Sequence, residues 1–382
     1  MRMRAPDRRL GRLLAAGAAS IAIMLSAWSC APTLGQIPVS SAEVHNEAEK
    51  QRELAFDVYD RRQERLDRVA WRVAQASAEL CPRTRFAYGV TIHNIDAYEN
   101  EYRKIITRKF NLTQEITVRS VIEGFPAQLA GIQAGDTIKV IQGQSLKGKT
   151  YLQSRDLMAL ANPATDSLRV TVTRSGSEYV FAMVGREICD YPALLVSDDV
   201  VNAYADGQRV VITTGMIRFA ESDDELALVV GHEMAHNARG HLDKKLGNSL
   251  LGGILDVAIA FGTGVNTGGA FSQAAAQSFS QEFETEADYV GVYMAARAGF
   301  AIKEAPSFWR RMAVEHPGSI KTNFMASHPS TPERFLRLER AVEEIADRKN
   351  GGGPLMPENY KKGPAPTDDV YVGSGRMSKK RK

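Results

Sequence analysis

The stretch Glu225-Leu-Ala-Leu-Val-Val-Gly-His232-Glu233-Met-Ala-His236 constrains this chain more than any other. It is apolar for most of its length and follows Ser222 and a run of acids, so it reads as a capped helix. Residues four apart on a helix lie one above the other. His232 and His236 therefore present two imidazoles to one point, which is what a tetrahedral zinc needs from two of its ligands. Glu233 is turned one residue aside and can approach water beside the metal without ligating it. A charged pair on an apolar helix is costly without a partner, and a third protein ligand is still required.

The segment that can supply it is Gln281-Glu282-Phe-Glu284-Thr-Glu286-Ala-Asp288, which opens another helical pattern from Tyr289 to Ala298. Glu284 and Asp288 share a face, so one can bind metal while the other fixes a histidine ring from behind. Spacing alone does not choose among Glu282, Glu284 and Glu286. Between the two helices, Asn248 to Phe279 is rich in Gly and Ala, is interrupted by Asp256, and is short for a membrane span. It is expected to be a helical pair roofing the site or a surface that rests on lipid.

The N-terminus carries an address. Five arginines between Arg2 and Arg12 precede an apolar run from Leu13 to Trp28, ending at Ser29-Cys30. This is the pattern of an export signal, and Leu25-Ser-Ala-Trp-Ser-Cys30 resembles a bacterial lipobox. Residues 1–30 are thus expected to be a lipoprotein-type signal, with Cys30 lipidated and the protein anchored to a membrane of the cell envelope. Cys81 and Cys189 are then left as a pair in an oxidising compartment, where a disulfide would tie the neck of the module between them. A net charge of +3 over 382 residues gives no reason to expect nucleic acid.

Residues 31–40 read as a linker. Residues 41–111 read as one or two amphipathic helices, with Leu54, Val58, Leu66, Val69, Val73 and Leu80 at helical spacing, and then a first strand. Within 112–185, Ile116–Ile122, Gly124-Phe-Pro-Ala127, Ala130-Gly-Ile-Gln-Ala-Gly135-Asp136-Thr-Ile138 and Ile141-Gln-Gly143 resemble a PDZ domain in order. That resemblance implies a peptide ligand added as a strand to a sheet edge. Arg108-Lys109-Phe110-Asn111 stands about where the carboxylate-binding loop would lie, so Lys109 and Phe110 are candidates to line a groove. Residues 190–346 are regular and carry the chemistry, and 347–382, with Gly351-Gly-Gly-Pro354 and Lys379-Lys-Arg-Lys382, read as a disordered basic tail.

The segment from Val200 to Arg340 resembles the catalytic core of the HtpX- and BepA-like metallopeptidases, relatives of the prenyl-protein endoproteases. The matching residues are Val201-Asn202-Ala-Tyr-Ala205, Val210–Gly215, Asp224-Glu225-Leu-Ala227, His232-Glu-Met-Ala-His236, Glu284-x-x-Ala-Asp288, and His328-Pro329 followed by Arg334. The resemblance implies an α+β fold, with a mainly helical gluzincin-type core and small sheet interrupted by the β-rich PDZ-like unit. It implies one zinc per chain on His232, His236 and Glu284, with Asp288 behind them and Glu233 as general base for hydrolysis of polypeptide substrates. It puts His328 near the metal as a plug ligand or oxyanion stabiliser, and Arg334 as a helper on developing charge. Substrate is expected to extend along the Val210 to Thr214 strand. A chaperone-like or PDZ-mediated binding factor in envelope assembly, with latent peptidase activity, is the rival expectation.

Overall fold

The computed structural model describes residues 37–154, 167–244, 270–315 and 331–363, and for 270–280 the backbone only. The export signal, Cys30, His328, the tail from 364 and most of the Asn248–Phe279 stretch lie outside the described residues. Packing divides the chain into Met1–Glu53 and Leu54–Lys382. In the first unit helix α1 (Ser41–Ala76) starts at a reciprocal cap. Ser40 Oγ accepts from the Glu43 amide at 3.2 Å, and the Glu43 carboxylate accepts from the Ser40 amide at 2.7 Å, satisfying two amides that a helix start leaves bare.

In the second unit α1 buries Leu66, Val69 and Val73 completely. Leu54, expected on the same stripe, is exposed; Phe56 and Asp60 face inward there instead, and Arg119 donates to Asp60. Strands β1 (Thr84–Ala87) and β8 (Arg186–Cys189) pair antiparallel, Thr84 opposite Cys189. Cys81 is bridged to Cys189, with Cα atoms 5.5 Å apart. Chain entering and leaving the intervening module is therefore tied side by side.

That module is an antiparallel sheet in the order β2 (Val90–His93), β3 (Thr117–Val121), β4 (Thr137–Ile141), β6 (Ser167–Arg174), β7 (Ser177–Val184), with β5 (Gln144–Ser145) paired to β4. Helix α2 (Asn100–Phe110) separates β2 from β3, and the short α3 (Pro126–Ala130) follows β3. The sequence reading began this unit at 112, but Val90–His93 pairs with Thr117–Val121, so the sheet starts about twenty residues earlier. Alternation identifies a strand without naming its neighbour. Lys109 and Phe110 are engaged by α1, and Phe110 also packs on His93 of β2 at 5.4 Å. Lys109 Nζ lies 2.5 Å from Asp57 Oδ1 in α1, and Phe110 packs edge-on to Phe56 at 6.2 Å.

The second region opens with β9 (Ala193–Val196), β10 (Ala203–Ala205) and β11 (Val210–Thr213), in the order β10-β11-β9. All four residues of β11 are buried, and it pairs with β10 on one side and β9 on the other. The expectation that substrate adds to the Val210–Thr214 strand therefore fails, because its main-chain groups are already paired on both edges. Among the described residues the outer strands of this sheet are β10 and β9, and β10 packs on the helix that carries His232.

Helices α4 (Thr214–Phe219), α5 (Asp223–Ala238), α6 (Ala270–Arg297), α7 (Ala305–Glu315) and α8 (Pro332–Asn350) follow. α5 packs on α6, and α8 on α6 and α7. At the α5–α6 crossing the chain has glycine on both sides. A Cβ at Gly231 would stand 2.5 Å from the Gly291 carbonyl oxygen, and one at Gly291 would stand 2.7 Å from the His232 nitrogen. The body also runs past the expected limit at 346. α8 continues to Asn350, and in the strap 351–363 Tyr360 donates to the Leu80 carbonyl while the Leu355 carbonyl accepts from Arg297 at 2.8 Å. Leu355, Met356 and Tyr360 pack on the main core, apolar content that the surrounding Gly and Pro had obscured.

Candidate metal centre

α5 is positioned at its start. Ser222 caps it through the Glu225 amide, and Asp223 in its first turn receives Arg65 at 2.8 Å and Arg68 at 3.0 Å from α1. Acids in a first turn suit the positive end of the helix dipole. Three turns on, the Nε2 atoms of His232 and His236 lie 3.1 Å apart. The glycine crossing brings α6 close enough for Glu284 to reach both, with Oε2 3.4 Å from His232 Nε2 and Oε1 3.3 Å from His236 Nε2. Among the described residues these three form the group that could hold a metal ion, their donor atoms lying within 4.8 Å of one another. Two imidazole nitrogens and a carboxylate converging on one point fit a divalent cation of the zinc type. The site is buried: His232, Glu233 and Glu284 are each 3% exposed or less.

Behind the cluster, Asp288 Oδ1 lies 2.9 Å from His232 Nδ1. Asp288 in turn is gripped by Arg334 through Nε at 2.8 Å and Nη2 at 2.9 Å, and Arg334 Nη1 reaches Glu284 Oε2 at 3.1 Å. Burial opposes a charged His232, yet Asp288 and Glu284 outweigh it and push the ring's pKa up to about 10. Burial likewise pushes Asp288 up, and Arg334 with His232 more than reverses this, leaving it below the usual carboxylate range. His236 is lowered, chiefly by burial. A buried charge is tolerated when it is paired and hydrogen-bonded, and Arg334 is both. Arg334, expected as a helper on developing charge, is paired here with two buried carboxylates, Asp288 and the ligand candidate Glu284.

Of the three glutamates left open by spacing, Glu282 is exposed and Glu286 faces elsewhere. Glu286 Oε2 lies 2.8 Å from His241 Nε2 and Oε1 lies 2.6 Å from Arg239 Nε. His241 Nδ1 is 2.9 Å from His236 Nδ1, and its ring stacks on Phe283 at 4.6 Å. The sequence reading passed over His241, although a second histidine one turn beyond His236, after Gly240, was a visible signal. It also passed over Trp309, whose ring lies 4.9 Å from that of His232. Asn237 was missed as well. Its Oδ1 accepts from the Gly207 amide at 2.8 Å and its Nδ2 donates to the Arg209 carbonyl at 2.9 Å. The turn between β10 and β11 is thereby locked to the residue beside His236.

Residues 173–342 match the profile of Peptidase family M48. Mitochondrial metalloendopeptidase OMA1 of Arabidopsis thaliana is 29% identical over 155 residues, covering 40% of this chain and 31% of that protein. Beta-barrel assembly-enhancing protease is similar too. The Yersinia pestis protein is 28% identical over 242 residues (59% of this chain, 47% of that one), and the Escherichia coli K12 protein 24% over 264 (64% and 50%). The chain spans half the length of these curated relatives or less. Among solved structures, the HtrA3 PDZ domain bound to a phage-derived ligand covers 28% of this chain and 89% of that chain. It is 19% identical with a TM-score of 0.22, too low to bear on the fold.

Proposed function

We propose that this chain is a zinc-dependent endopeptidase of the cell envelope, with His232, His236 and Glu284 as metal ligands and Glu233 as general base. The observation that carries this reading is the convergence of two imidazole Nε2 atoms and one carboxylate beside a buried glutamate. Similarity to M48 metallopeptidases over the same segment supports it. When bound, zinc supplies a Lewis acid that polarises a scissile carbonyl and acidifies water. Glu233 takes the proton as water attacks that carbonyl and hands it to the leaving amide nitrogen. Asp288, held by Arg334, keeps the His232 proton on Nδ1 so that Nε2 is bare toward the metal. Substrate lies extended against β10, whose outer edge offers main-chain groups beside α5. Arg334 acts as a positioning residue, and His328 is retained as the candidate plug or oxyanion group.

Export is supported by the Cys81–Cys189 bridge, since disulfides form and persist chiefly in oxidising compartments. Among the described residues no helix is long and apolar enough to cross a membrane; the anchor we infer is lipid on Cys30, checked by intact mass of protein taken from membranes. The module from β2 to β7 is inferred to be a PDZ-like insertion that takes peptide ligands.

Casein cleavage by the mature chain, with Glu233→Gln as control, tests the central claim. Cleavage abolished both by chelation and by Glu233→Gln is expected. Cleavage that survives Glu233→Gln overturns the mechanism. Absence of cleavage with one zinc bound per chain overturns the activity and favours the binding-factor alternative.

A further inference from the structure

Both ring nitrogens of each cluster histidine are engaged, but not by the same device. His232 turns Nε2 to the cluster and Nδ1 to a carboxylate, Asp288, which an arginine grips. His236 turns Nε2 to the cluster, and its Nδ1 meets a second imidazole, His241. Only beyond that ring comes the carboxylate, Glu286, gripped by Arg239. The two histidines thus have matched supports, one direct and one lengthened by an imidazole.

Hydrogen-bond logic leaves this longer chain a single proton arrangement. A metal on His236 Nε2 requires the proton on Nδ1, which must donate to His241 Nδ1. His241 Nδ1 is then an acceptor, so its proton sits on Nε2 and donates to Glu286 Oε2. A carboxylate has no hydrogen to offer and can only accept, which makes Glu286 the residue that sets the direction of the whole chain. Arg239 occupies its other oxygen, and the strap holds Arg239 in place, with the Lys361 carbonyl accepting from Nη1 and the Tyr360 ring 5.2 Å from the guanidinium. Phe283 covers one face of His241, which is 3% exposed, so the ring has little room to turn over.

We propose that His241 and Glu286 are positioning residues that fix the tautomer and orientation of His236 for metal binding, and that Arg239 orients Glu286 from the strap. The inference rests on the metal-site reading above. It also predicts an unusual reversal. In Glu286→Gln the single amide oxygen is drawn to Arg239, and the amide NH2 turns to His241 Nε2. His241 must then accept there and donate from Nδ1, which forces the His236 proton onto Nε2, the ligand atom. Removing Arg239 frees the amide oxygen for His241 and restores the arrangement.

The test is the zinc dissociation constant of the full mature chain, by competition with a chromophoric chelator. Each variant is accompanied by the visible spectrum of its Co2+ form and the melting temperature of its metal-free form. Glu286→Gln and His241→Phe are expected to weaken zinc about 10- to 100-fold, the usual effect of removing such a support, with an altered Co2+ spectrum. Arg239→Met alone, which leaves the Glu286 carboxylate able only to accept, should weaken zinc less than Glu286→Gln does. Arg239→Met added to Glu286→Gln should recover most of the loss, a result that general loosening of the fold does not produce. His241→Gln, which can accept from His236 and donate to Glu286, should bind more tightly than His241→Phe and serves if Glu286→Gln lowers the metal-free melting temperature. Wild-type zinc affinity in Glu286→Gln and His241→Phe overturns the proposal, as does equal loss in His241→Gln and His241→Phe. Wild-type protein that takes up no zinc defeats the metal-site reading itself.

Discussion

Gly291→Ala sets two familiar effects against each other, and the sign of the outcome tests how the site is assembled. In mid-helix, alanine is more favourable than glycine by about 1 kcal/mol, so local propensity alone predicts a more stable protein. The structure predicts the reverse. The added methyl would stand 2.7 Å from the His232 nitrogen, 2.8 Å from its Cα and 2.9 Å from the Gly231 carbonyl carbon. Carbon atoms rest comfortably at about 3.5–4.0 Å. The obstructing atoms are backbone and cannot swing aside, so α5 and α6 must part by roughly 0.7–1 Å on that estimate. Overpacking of this kind costs about 1–3 kcal/mol, which leaves a net loss of up to about 2 kcal/mol once the propensity gain is subtracted. Asp288 and Glu284 lie one and two turns upstream on the same helix and move with it. The 2.9 Å contact from Asp288 to His232 then passes beyond hydrogen-bond range. Urea unfolding with and without zinc reads both consequences: destabilisation of the metal-free chain, and a smaller stabilisation by added zinc than in wild type. A Gly291→Ala protein as stable as wild type or more so, with unchanged zinc stabilisation, would refute the claim that this crossing is held at backbone contact.

Three further outcomes are expected. Arg334→Leu leaves Asp288 and Glu284 buried without their cation, and removing one partner of a buried ion pair costs about 3–5 kcal/mol. Chemical unfolding of the metal-free protein should show the loss, and zinc should restore part of it by neutralising Glu284. Asn237→Ala frees the turn between β10 and β11, so cleavage of a peptide substrate should show a raised KM with kcat changed much less; an unchanged KM argues against β10 as the substrate edge. The third concerns acid. Burial, reinforced by Arg119, lowers the His93 pKa to about 4, below the ordinary unfolded value, so the unfolded chain binds the extra proton between about pH 6.5 and 4. His93 therefore contributes stability that is complete above this window and lost as pH falls through it. The loss between pH 7 and pH 5 should be about 2 kcal/mol greater in wild type than in His93→Gln, by urea titration at the two values.

The convergence of His232 and His236 could be read from spacing because a helix is a local structure whose geometry each turn repeats. Ser222 as a cap and the acids behind it belong to the same class, since capping joins residues three apart in sequence. Cys81 and Cys189 could be paired because export left few alternatives. Alternation likewise revealed strands within the 112–185 stretch, while the pairing of Val90–His93 with Thr117–Val121 depended on a contact made across the intervening α2. Glu284 was one of three glutamates until a family resemblance singled it out, because which face of α6 meets α5 depends on where two helices cross. That crossing is decided by Gly231 and Gly291, sixty residues apart and unremarkable in either local pattern.

What the sequence determined by itself was therefore the local geometry: two imidazoles on one helical face, a capped start, and strands recognised by alternation. What only the tertiary structure decided was direction and pairing. It turned Arg334 onto Asp288 and Glu284, enclosed β11 between two strands, and set His241 between His236 and Glu286. Helical periodicity is written into neighbouring residues, whereas a buried charge or an unpaired strand edge takes whichever partner the packing of distant segments brings to it.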